Sequence, residues 1–355
     1  MATLSVIIPN YNHRHFLERA VEAIVNQTRP PDEIIIIDDA STDDSWSLIG
    51  QLKARYANLR GERNPVNLGV NGTLNRGTEL AKGDFVHYPG ADDVIAPDLY
   101  ERAMSLLESH PEAGLCSTLS VAIDENDHFR GLFPSPIVAS EPAYFDPAQA
   151  GRLILRHESW FMGNVVIYRR QAQIDAGGYR KELGSFGDGF LCRVLAARHG
   201  ACFVPAPLGA WRRMEQGYSS VQGRNITWQL SVIPLVEQLM TGAFAGVFPS
   251  GYLRRWQGRW RFSTIRMALR LPENRAEMVL AALDRPSWFD RLMVSLLTRC
   301  GRLGTIGLTL YLFLLLRGGD LFDIGVLHLR IWRLNRDPEF TRYWRRWSEA
   351  RCRGA

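Results

Sequence analysis

An acidic pair, Asp92-Asp93, carries the sharpest chemical signal in this 355-residue sequence. It follows a short apolar run, residues 84–88, of the kind that forms a buried strand. Magnesium and manganese prefer oxygen ligands and are commonly held by one or two carboxylates together with substrate phosphates. The pair therefore suggests a metal site. An ordinary solvated turn is the alternative, because Asp is also common there.

A second acidic pair, Asp38-Asp39, follows the apolar run 33–37. One carboxylate of such a pair can brace the turn while its neighbour accepts hydrogen bonds from a base or ribose, and we assign the second role to Asp39. Both acids would instead act as caps if they served only the helix expected to open at Ser41. Tyr11, in the loop after the first apolar run, offers a flat ring for stacking on a base or for packing beneath its own turn.

These residues follow strands of a predicted α/β sheet. Short β-branched runs alternate with amphipathic stretches through the first hundred residues, which indicates a parallel sheet covered by helices. The strands are expected at 4–8, 33–37, near Leu59 and at 84–88. A capping box of Ser41 and Asp44 is expected to open the second helix. Ligands bind outside the carboxyl ends of such strands, so the polar loops should converge on one crevice.

Domain organisation follows from changes along the chain. Residues 113–224 are less regular and should complete the site, and from residue 225 the sequence is helical, rich in Arg and Trp. We therefore predict a catalytic domain at 1–224, with a nucleotide half at about 1–112 and an acceptor half at about 113–224. A helical region follows at 225–355.

Charge is distributed unevenly. Residues 251–355 contain 20 Arg, no Lys and nine acidic residues, which gives this segment a formal charge of +11. The whole chain has a formal charge of +5, so residues 1–250 carry −6. The same segment holds six of the ten tryptophans, but no nucleic-acid-binding motif accompanies them, which argues against a nucleic-acid partner. The five cysteines form no C-x-x-C pair, and no basic, signal-like leader precedes the first apolar run. Cytoplasmic residence is therefore expected.

Four segments carry a family resemblance: SVIIPNYN at 5–12, IIIIDDASTD at 34–43, NLGVNGTLNRG at 67–77 and GADDVIAP at 90–97. In this order they resemble the family 2 glycosyltransferases over roughly residues 4–100, and an ordered set is more specific than any single motif. The resemblance implies a GT-A fold, which is a Rossmann-like, mixed and mostly parallel sheet flanked by helices. It also implies an inverting transfer from a nucleotide-diphosphate sugar.

The resemblance also implies roles for particular residues. The donor's diphosphate would be bridged to Mn²⁺ or Mg²⁺ by Asp93. The implied nucleotide-sugar-binding residues lie in the four matching segments and are Pro9, Tyr11, Asp39, Asn67, Asn75 and Asp92. Two positions depart from the family pattern, with Gly90 where an aspartate is common and Leu74 where an arginine is common. Both departures concern the phosphates and the metal.

The implied catalytic base lies in the second half of the domain. The family has a Glu-Asp pair after a Gly-Gly-aromatic segment, and here Gly177-Gly178-Tyr179 precedes Gly187-Asp188. The resemblance makes Asp188 the carboxylate that removes the acceptor hydroxyl's proton while the nucleoside diphosphate leaves from the opposite face. As an alternative, Asp188 is only a helix N-cap. Trp160, Asn164 and 211–213 are expected either to line the acceptor side or to close over the phosphates.

The sequence thus favours a metal-dependent, inverting glycosyltransferase acting on a hydroxyl of a glycan or lipid-linked saccharide, of the cell-surface polysaccharide type. The alternative is a catalytically silent GT-A module that only binds nucleotide or glycan, its chemistry lost with Gly90 and Gly187. A dehydrogenase is disfavoured because the loop at 9–12 lacks the G-x-G-x-x-G turn.

The apolar segment at 303–316 is shorter than the roughly 20 residues of a spanning helix. Its Arg and Trp surroundings suit an anionic bilayer surface, which suggests peripheral attachment at the inner face of the cell membrane, near a lipid-linked acceptor. In the alternative, the segment belongs to a helical domain whose apolar stripe packs on the catalytic domain.

Overall fold

The computed structural model describes residues 1–133, 135–270 and 275–317, together with 320, 325, 329, 331–334 and 336–338. Trp344, Trp347 and the rest of the predicted helical region beyond position 338 lie outside the described residues. The chain divides into two compact units, one built mainly from residues 1–214 and one from residues 215–326.

Strands and helices alternate through the first unit. Its strands are β1 Leu4–Asn10, β2 Glu33–Asp38, β3 Leu59–Arg63, β4 Phe85–His87, β5 Val94–Ile95, β6 Leu115–Ile123, β7 Phe129–Leu132, β8 Ala143–Phe145, β9 Ile167–Arg169 and β10 Ala201–Arg212. Its helices are α1 Arg14–Val25, α2 Ser45–Arg55, α3 Gly69–Leu80, α4 Leu99–Ser109, α5 Pro147–His157, α6 Arg170–Asp175 and α7 Gly187–His199, with short 3₁₀ helices at Gly163–Val165 and Lys181–Phe186.

The strands form one mixed sheet in the order β3-β2-β1-β4-β9-β6-β10-β5, with β7 beside β6 and β8 beside β10. Strands β3, β2, β1 and β4 pair in parallel, as do β6 and β10. The shorter pairs of β4 with β9, β6 with β9 and β5 with β10 are antiparallel. The predicted mixed sheet flanked by helices is therefore confirmed, and its parallel part lies in the first hundred residues.

The core of this unit explains the sequence pattern of the strands. Ile34, Ile35, Ile36 and Ile37 are all fully buried, which requires cover on both faces of the sheet. Helix α1 contributes the apolar side chains of its helical stripe, Leu17, Ala20, Val21 and Ile24. Continuous rather than alternating apolar runs are the expected signature of strands covered on both faces.

One local prediction was wrong. The capping box of Ser41 and Asp44 does not form, because α2 begins at Ser45 and Asp44 makes no side-chain cap. The Ser41 hydroxyl instead accepts hydrogen bonds from the backbone N–H of Asn12 at 2.9 Å and the side-chain amide of Asn10 at 3.2 Å. Tertiary bonding between two loops therefore replaced a local cap.

The second unit is helical, as predicted for this part of the chain. Its helices are α8 Tyr218–Arg224, α9 Ile226–Thr241, α10 Tyr252–Ala268, α11 Arg275–Ala282, α12 Trp288–Arg299 and α13 Gly301–Arg317. Phe262, Ile265, Val279, Val294 and Leu308 belong to its core. Among the described residues, no helix combines the length and apolarity needed to cross a bilayer.

Packing of α3 on the sheet provides a test of the fold. A Cβ on Gly77 would lie 2.4 Å from Ile7 and 3.1 Å from Ile37, whereas one on Gly50 in α2 would meet nothing within 4 Å. We expect Gly77→Ala to lower the free energy of unfolding by about 1–3 kcal/mol through overpacking. Gly50→Ala should raise it by about 0.5–1 kcal/mol through helix propensity. Urea denaturation monitored by circular dichroism compares the two variants, and equal effects would contradict the packing described.

Candidate active site

Hydrogen bonds join the carboxyl ends of β1 and β2. Asn10 lies opposite Asp38 in the parallel register, and its side-chain amide donates to Asp38 Oδ1 at 3.1 Å. Asp38 Oδ2 accepts from the backbone N–H of Ser41 at 3.2 Å and pairs with Arg63 Nε at 3.1 Å. Asp38 is fully buried, so this carboxylate braces the turn.

Asp39 is held from the side of β3 and α3. Its Oδ1 accepts hydrogen bonds from Asn64 Nδ2 at 2.6 Å and from the backbone N–H of Leu68 at 2.8 Å. Asn64 also donates to Thr73 Oγ1 at 3.1 Å, and its carbonyl oxygen accepts from Arg76. Asn64 directly follows the polar strand β3, which has no distinctive sequence pattern, and for this reason it was not predicted.

Pro9 near the end of β1 and Tyr11 in the loop that follows lie at the same sheet edge. Tyr11 is 46% exposed, so its ring is open to solvent rather than packed under the turn. The next residue, Asn12, has a φ of 56°, and its side-chain oxygen accepts from the backbone N–H of Thr42 at 2.8 Å. The loop is thus fixed to the β2–α2 loop while the aromatic face remains free.

The acidic pair lies just before β5, with both carboxylates facing Gly90. A Cβ on Gly90 would lie 2.9 Å from Asp92 Oδ1 and 3.0 Å from Asp93 Oδ2. The other oxygen, Asp93 Oδ1, accepts from the backbone N–H of Arg212 at 3.0 Å. Burial and the adjacent charge of Asp92 raise the pKa of the Asp93 carboxyl well above its ordinary value, although Arg212 opposes this rise.

These two carboxylates fit a divalent cation. Within the part of the chain that the structure describes, no group of three or more His, Cys, Asp or Glu side chains could hold a metal. Magnesium, however, is often bound by one or two carboxylates, with substrate phosphates and water completing the shell. Two carboxylate oxygens that approach one point and repel each other form such a partial site.

Arg212 fixes the turn that carries the acidic pair. Its guanidinium donates to the backbone carbonyls of Asp92 at 2.8 Å and Asp124 at 2.9 Å, and it pairs with Asp127. It also lies 4.8 Å from the centre of the Phe16 ring. Because these contacts occupy the guanidinium, and the residue is only 3% exposed, Arg212 serves as a brace.

The two predicted donor-binding asparagines have different surroundings. Asn67 is exposed just before α3, and its side-chain oxygen accepts from the backbone N–H of Gly69 at 2.9 Å. The Asn75 side chain makes two hydrogen bonds of 2.8 Å, one to the carbonyl and one from the N–H of Tyr179. Asn75 therefore ties α3 to the Gly177-Gly178-Tyr179 segment, while Asn67 stays at the open helix start.

Asp188 lies in the first turn of α7. Its Oδ1 accepts from the backbone N–H of Gly189 at 2.5 Å. A Cβ on Gly163 would lie 2.4 Å from Asp188 Oδ2, so only glycine leaves room for the carboxylate there. Burial raises the pKa of the Asp188 carboxyl above its ordinary value, while the Gly189 hydrogen bond and the charge of Arg193 lower it.

The 3₁₀ helix at Gly163–Val165 lies between Asp188 and the part of the chain that follows the acidic pair. Gly163 abuts Asp188, whereas Val165 abuts Gly209, whose Cβ would lie 2.3 Å from it. The same Cβ would lie 3.2 Å from the carbonyl oxygen of Val94, the residue after Asp93. A chain of contacts therefore runs from Asp188 through this short helix to Gly209 and the backbone of Val94.

The expected acceptor-side residues need correction. Trp160 is fully buried and packs against Phe145 and Phe161, so the prediction that it lines the acceptor side was wrong. Asn164 is also buried, and its side chain donates weakly to Ser120 at 3.4 Å. Neither burial could be deduced from local sequence, because the covering residues are distant in the chain.

Comparison with known proteins agrees with this arrangement. The model of the family described as "Glycosyl transferase family 2" matches residues 5–170, which contain the Asp38–Asp39 and Asp92–Asp93 pairs. Residues 5–170 of this chain are thus similar to glycosyltransferase family 2. Among its relatives, the amylovoran biosynthesis glycosyltransferase AmsE of Erwinia amylovora is 27% identical over 57% of this chain and 73% of its own. Two other relatives, both called uncharacterized glycosyltransferases, match over only 33–38% of their own length.

Two solved structures share the fold of this chain. TarS of S. aureus (residues 1–349), in complex with UDP-GlcNAc, has a TM-score of 0.55 at 15% identity and covers 84% of this chain and 92% of its own. The mannosyltransferase PcManGT of Pyrobaculum calidifontis, in complex with GDP-Man and Mn²⁺, has a TM-score of 0.54 at 18% identity and covers 91% and 88%. The GT-A fold is confirmed.

The brace provided by Arg212 can be tested without any substrate. Lysine keeps the charge but cannot reproduce the guanidinium's several hydrogen bonds. We expect Arg212→Lys to lower the free energy of unfolding by about 2–3 kcal/mol, measured by urea denaturation. Arg130→Lys is the matched control, because Arg130 pairs with Asp124 but is 60% exposed, and it should have no measurable effect. Similar losses in both variants would contradict the assignment.

Proposed function

We propose that this chain transfers a sugar from a nucleotide-diphosphate sugar to a hydroxyl group of an acceptor, with inversion at the anomeric carbon. The observation that carries the proposal is the approach of the Asp92 and Asp93 carboxylates to one point beside Gly90. A further acid, Asp188, lies in the first turn of α7. In an inverting transfer the leaving group and the base act on opposite faces of the sugar, so the acid pair that serves the diphosphate and the acid that serves as base are different residues.

The donor would bind across the carboxyl ends of β1, β2 and β4. In this arrangement Tyr11 stacks on the base beside Pro9, and the fixed carboxylate of Asp39 accepts hydrogen bonds from base or ribose. Asn67 and the open start of α3 face the phosphates, since helix N-termini favour anions. Asn75 contributes indirectly by holding the 177–179 segment against α3.

The proposed cation is Mn²⁺ or Mg²⁺, held by Asp93 with Asp92 beside it. When bound, it neutralises charge on the departing diphosphate as a Lewis acid. The chain's own contribution is orientation: the Arg212 backbone N–H fixes one oxygen of Asp93 and leaves the other facing Asp92. The GT-A neighbour that contains Mn²⁺ with GDP-Man supports this use of a cation.

Asp188 is the proposed general base. Its pKa, raised by burial, lies nearer to neutral pH than that of an exposed aspartate, which strengthens the carboxylate as a proton acceptor. Only the ionised form can accept a proton. Activity should therefore be retained above the Asp188 pKa and lost as the pH falls through it.

The acceptor is proposed to be a hydroxyl of a glycan or lipid-linked saccharide in cell-surface polysaccharide synthesis. The named relative, AmsE, is an amylovoran biosynthesis glycosyltransferase, which supports this class. A silent GT-A module that only binds nucleotide or glycan remains the second candidate. The observation that favours the silent module is that the site has only the two acids Asp92 and Asp93, with glycine at position 90, where the family commonly has an aspartate.

Nucleoside diphosphate release distinguishes these candidates. We expect one donor from a panel of UDP-, GDP- and dTDP-sugars to be turned over with Mn²⁺, and expect little turnover without it. Asp188→Asn should lower turnover by about 10²–10⁴-fold while nucleotide binding persists, and Asp93→Asn should lose the response to Mn²⁺. The exposed Asp175→Asn is the control. Tight nucleotide binding without turnover, also in the presence of lipid-linked glycans, would support the silent module.

We also propose that the second unit attaches to an anionic bilayer, at its cytoplasmic face. Helices α12 and α13 carry exposed apolar residues at helical spacing, among them Trp288 (75%), Leu303 (81%), Ile306 (65%) and Leu310 (57%). Residues 291–317 contain four Arg and no acidic residue. An apolar face with this excess of arginine beside it suits anionic headgroups over an acyl layer.

Vesicle sedimentation tests this attachment. The full chain should pellet with vesicles containing phosphatidylglycerol at low salt, and less at high salt because the Arg contribution is screened. The double variant Leu303→Asp/Leu310→Asp should lose binding, whereas Val66→Asp, at an exposed apolar position in the first unit, should not. Failure of the native chain to pellet at low salt would contradict the proposal. Loss of a dimer in the double variant would instead identify a second copy of the chain as the occupant.

A further inference from the structure

A buried ion pair lies beside Asp188 and has no role in the mechanism above. Arg193, one turn further along α7, is 5% exposed and pairs through Nη2 with Oε1 of Glu158. Its Nη1 donates to the carbonyl of Gly189 at 2.5 Å, and its guanidinium lies 5.2 Å from the centre of the Phe186 ring. These contacts hold the cation in one position within the first turns of α7.

The backbone at Glu158 is strained. This residue ends α5 with φ 72° and ψ −65°, and the N–H of Ser159 donates to the carbonyl of His157 at 2.9 Å across it. Such a γ-turn with positive φ is rare for any residue with a side chain. Glycine would adopt this backbone without steric cost. The glutamate at this position instead directs its carboxylate to Arg193, and strain of this kind is typical of functional sites.

Two glycines make room for this cluster. A Cβ on Gly163 would lie 2.4 Å from Asp188 Oδ2, and a Cβ on Gly189 would lie 2.8 Å from Arg193 Nη1. The Asp188 carboxylate and the Arg193 guanidinium thus each pack against a glycine, where no Cβ is present. Such close approach leaves little freedom to either side chain.

Among the titratable groups that the structure places around Asp188, Arg193 is the one that is charged near pH 7. Tyr168 of β9, Tyr179 and Cys192 of α7 also interact with Asp188. Burial raises the pKa of both tyrosines well above the ordinary value and that of Cys192 to about 12, so all three are neutral near pH 7. Among the groups that the structure places against Asp188, the guanidinium of Arg193 therefore supplies the positive charge.

We propose that Arg193, locked by Glu158, is a positioning residue that keeps the Asp188 carboxylate ionised and aimed for catalysis. The inference rests on the proposed function, since it presumes that Asp188 is the base. Position 187 is a glycine where the family pattern has an acid, so no acidic residue directly precedes Asp188. Gly189 links Arg193 to Asp188, because its carbonyl accepts from Arg193 and its N–H donates to Asp188. Glu158 takes part from a different helix by fixing that cation.

The test is the pH dependence of kcat/KM for nucleoside diphosphate release with Mn²⁺. Removing the positive charge in Arg193→Gln should raise the Asp188 pKa and shift the acid limb upward by about one pH unit or more, as expected for loss of a nearby opposite charge. Arg193→Lys retains the charge and should keep the acid limb near its native position. Arg102→Gln serves as the control, because it removes an arginine on α4 that is paired with Asp98, and it should keep the native acid limb.

Glu158→Gln is the second variant, chosen because it is nearly isosteric and keeps an acceptor for Arg193. It removes a negative charge, so the acid limb should move in the opposite direction, to lower pH. An unchanged acid limb in folded Arg193→Gln would overturn the inference, as would an upward shift in Glu158→Gln. If Asp188→Asn retains full activity, the proposed function fails. If Asp188→Asn is inactive and Arg193→Gln keeps the native limb, only the positioning role fails.

Discussion

Parallel pairing of β1 with both β2 and β4 determines where chemistry can occur in this chain. Because the three strands run in the same direction, the loops after Asn10, Asp38 and His87 all leave the sheet at one edge. The apolar run of β2 is buried on both faces, so this pairing cannot slip without exposing it. The polar residues in these loops can therefore be predicted from one local feature, their position directly after a strand.

Close approach of carboxylates to bare backbone is the second organising feature. Gly90 faces Asp92 and Asp93, and Gly163 faces Asp188, each within 3 Å of where a Cβ would stand. The family commonly has an aspartate where this chain has Gly90. A side chain would not fit at this position, because the carboxylates of Asp92 and Asp93 already occupy the space beside it. At Gly187 a Cβ would lie 3.0 Å from the Asn71 side chain, which bonds to the Gly184 carbonyl at 2.8 Å.

Local patterns predicted the strands, the helices and the acids after them, because apolar periodicity and turn chemistry act over a few residues. The interactions that give those acids their surroundings are not local. Asp93 receives its hydrogen bond from Arg212, 119 residues away, and Asn75 is bound by Tyr179, 104 residues away. The same limit explains the wrong assignment of Trp160, whose burial depends on remote partners. Glu158 carried no sequence signal, since nothing in the pattern marks a γ-turn.

Anomalous diffraction at the manganese edge would test the central claim most directly, using crystals grown with Mn²⁺ and the nucleoside diphosphate of the accepted donor. The account predicts one manganese peak about 2 Å from a carboxylate oxygen of Asp93, beside Asp92 and in contact with the diphosphate. Asp188 would not contact this manganese. A manganese bound elsewhere, or a nucleotide bound at the β1–β2–β4 edge with no metal at Asp93, would contradict the account.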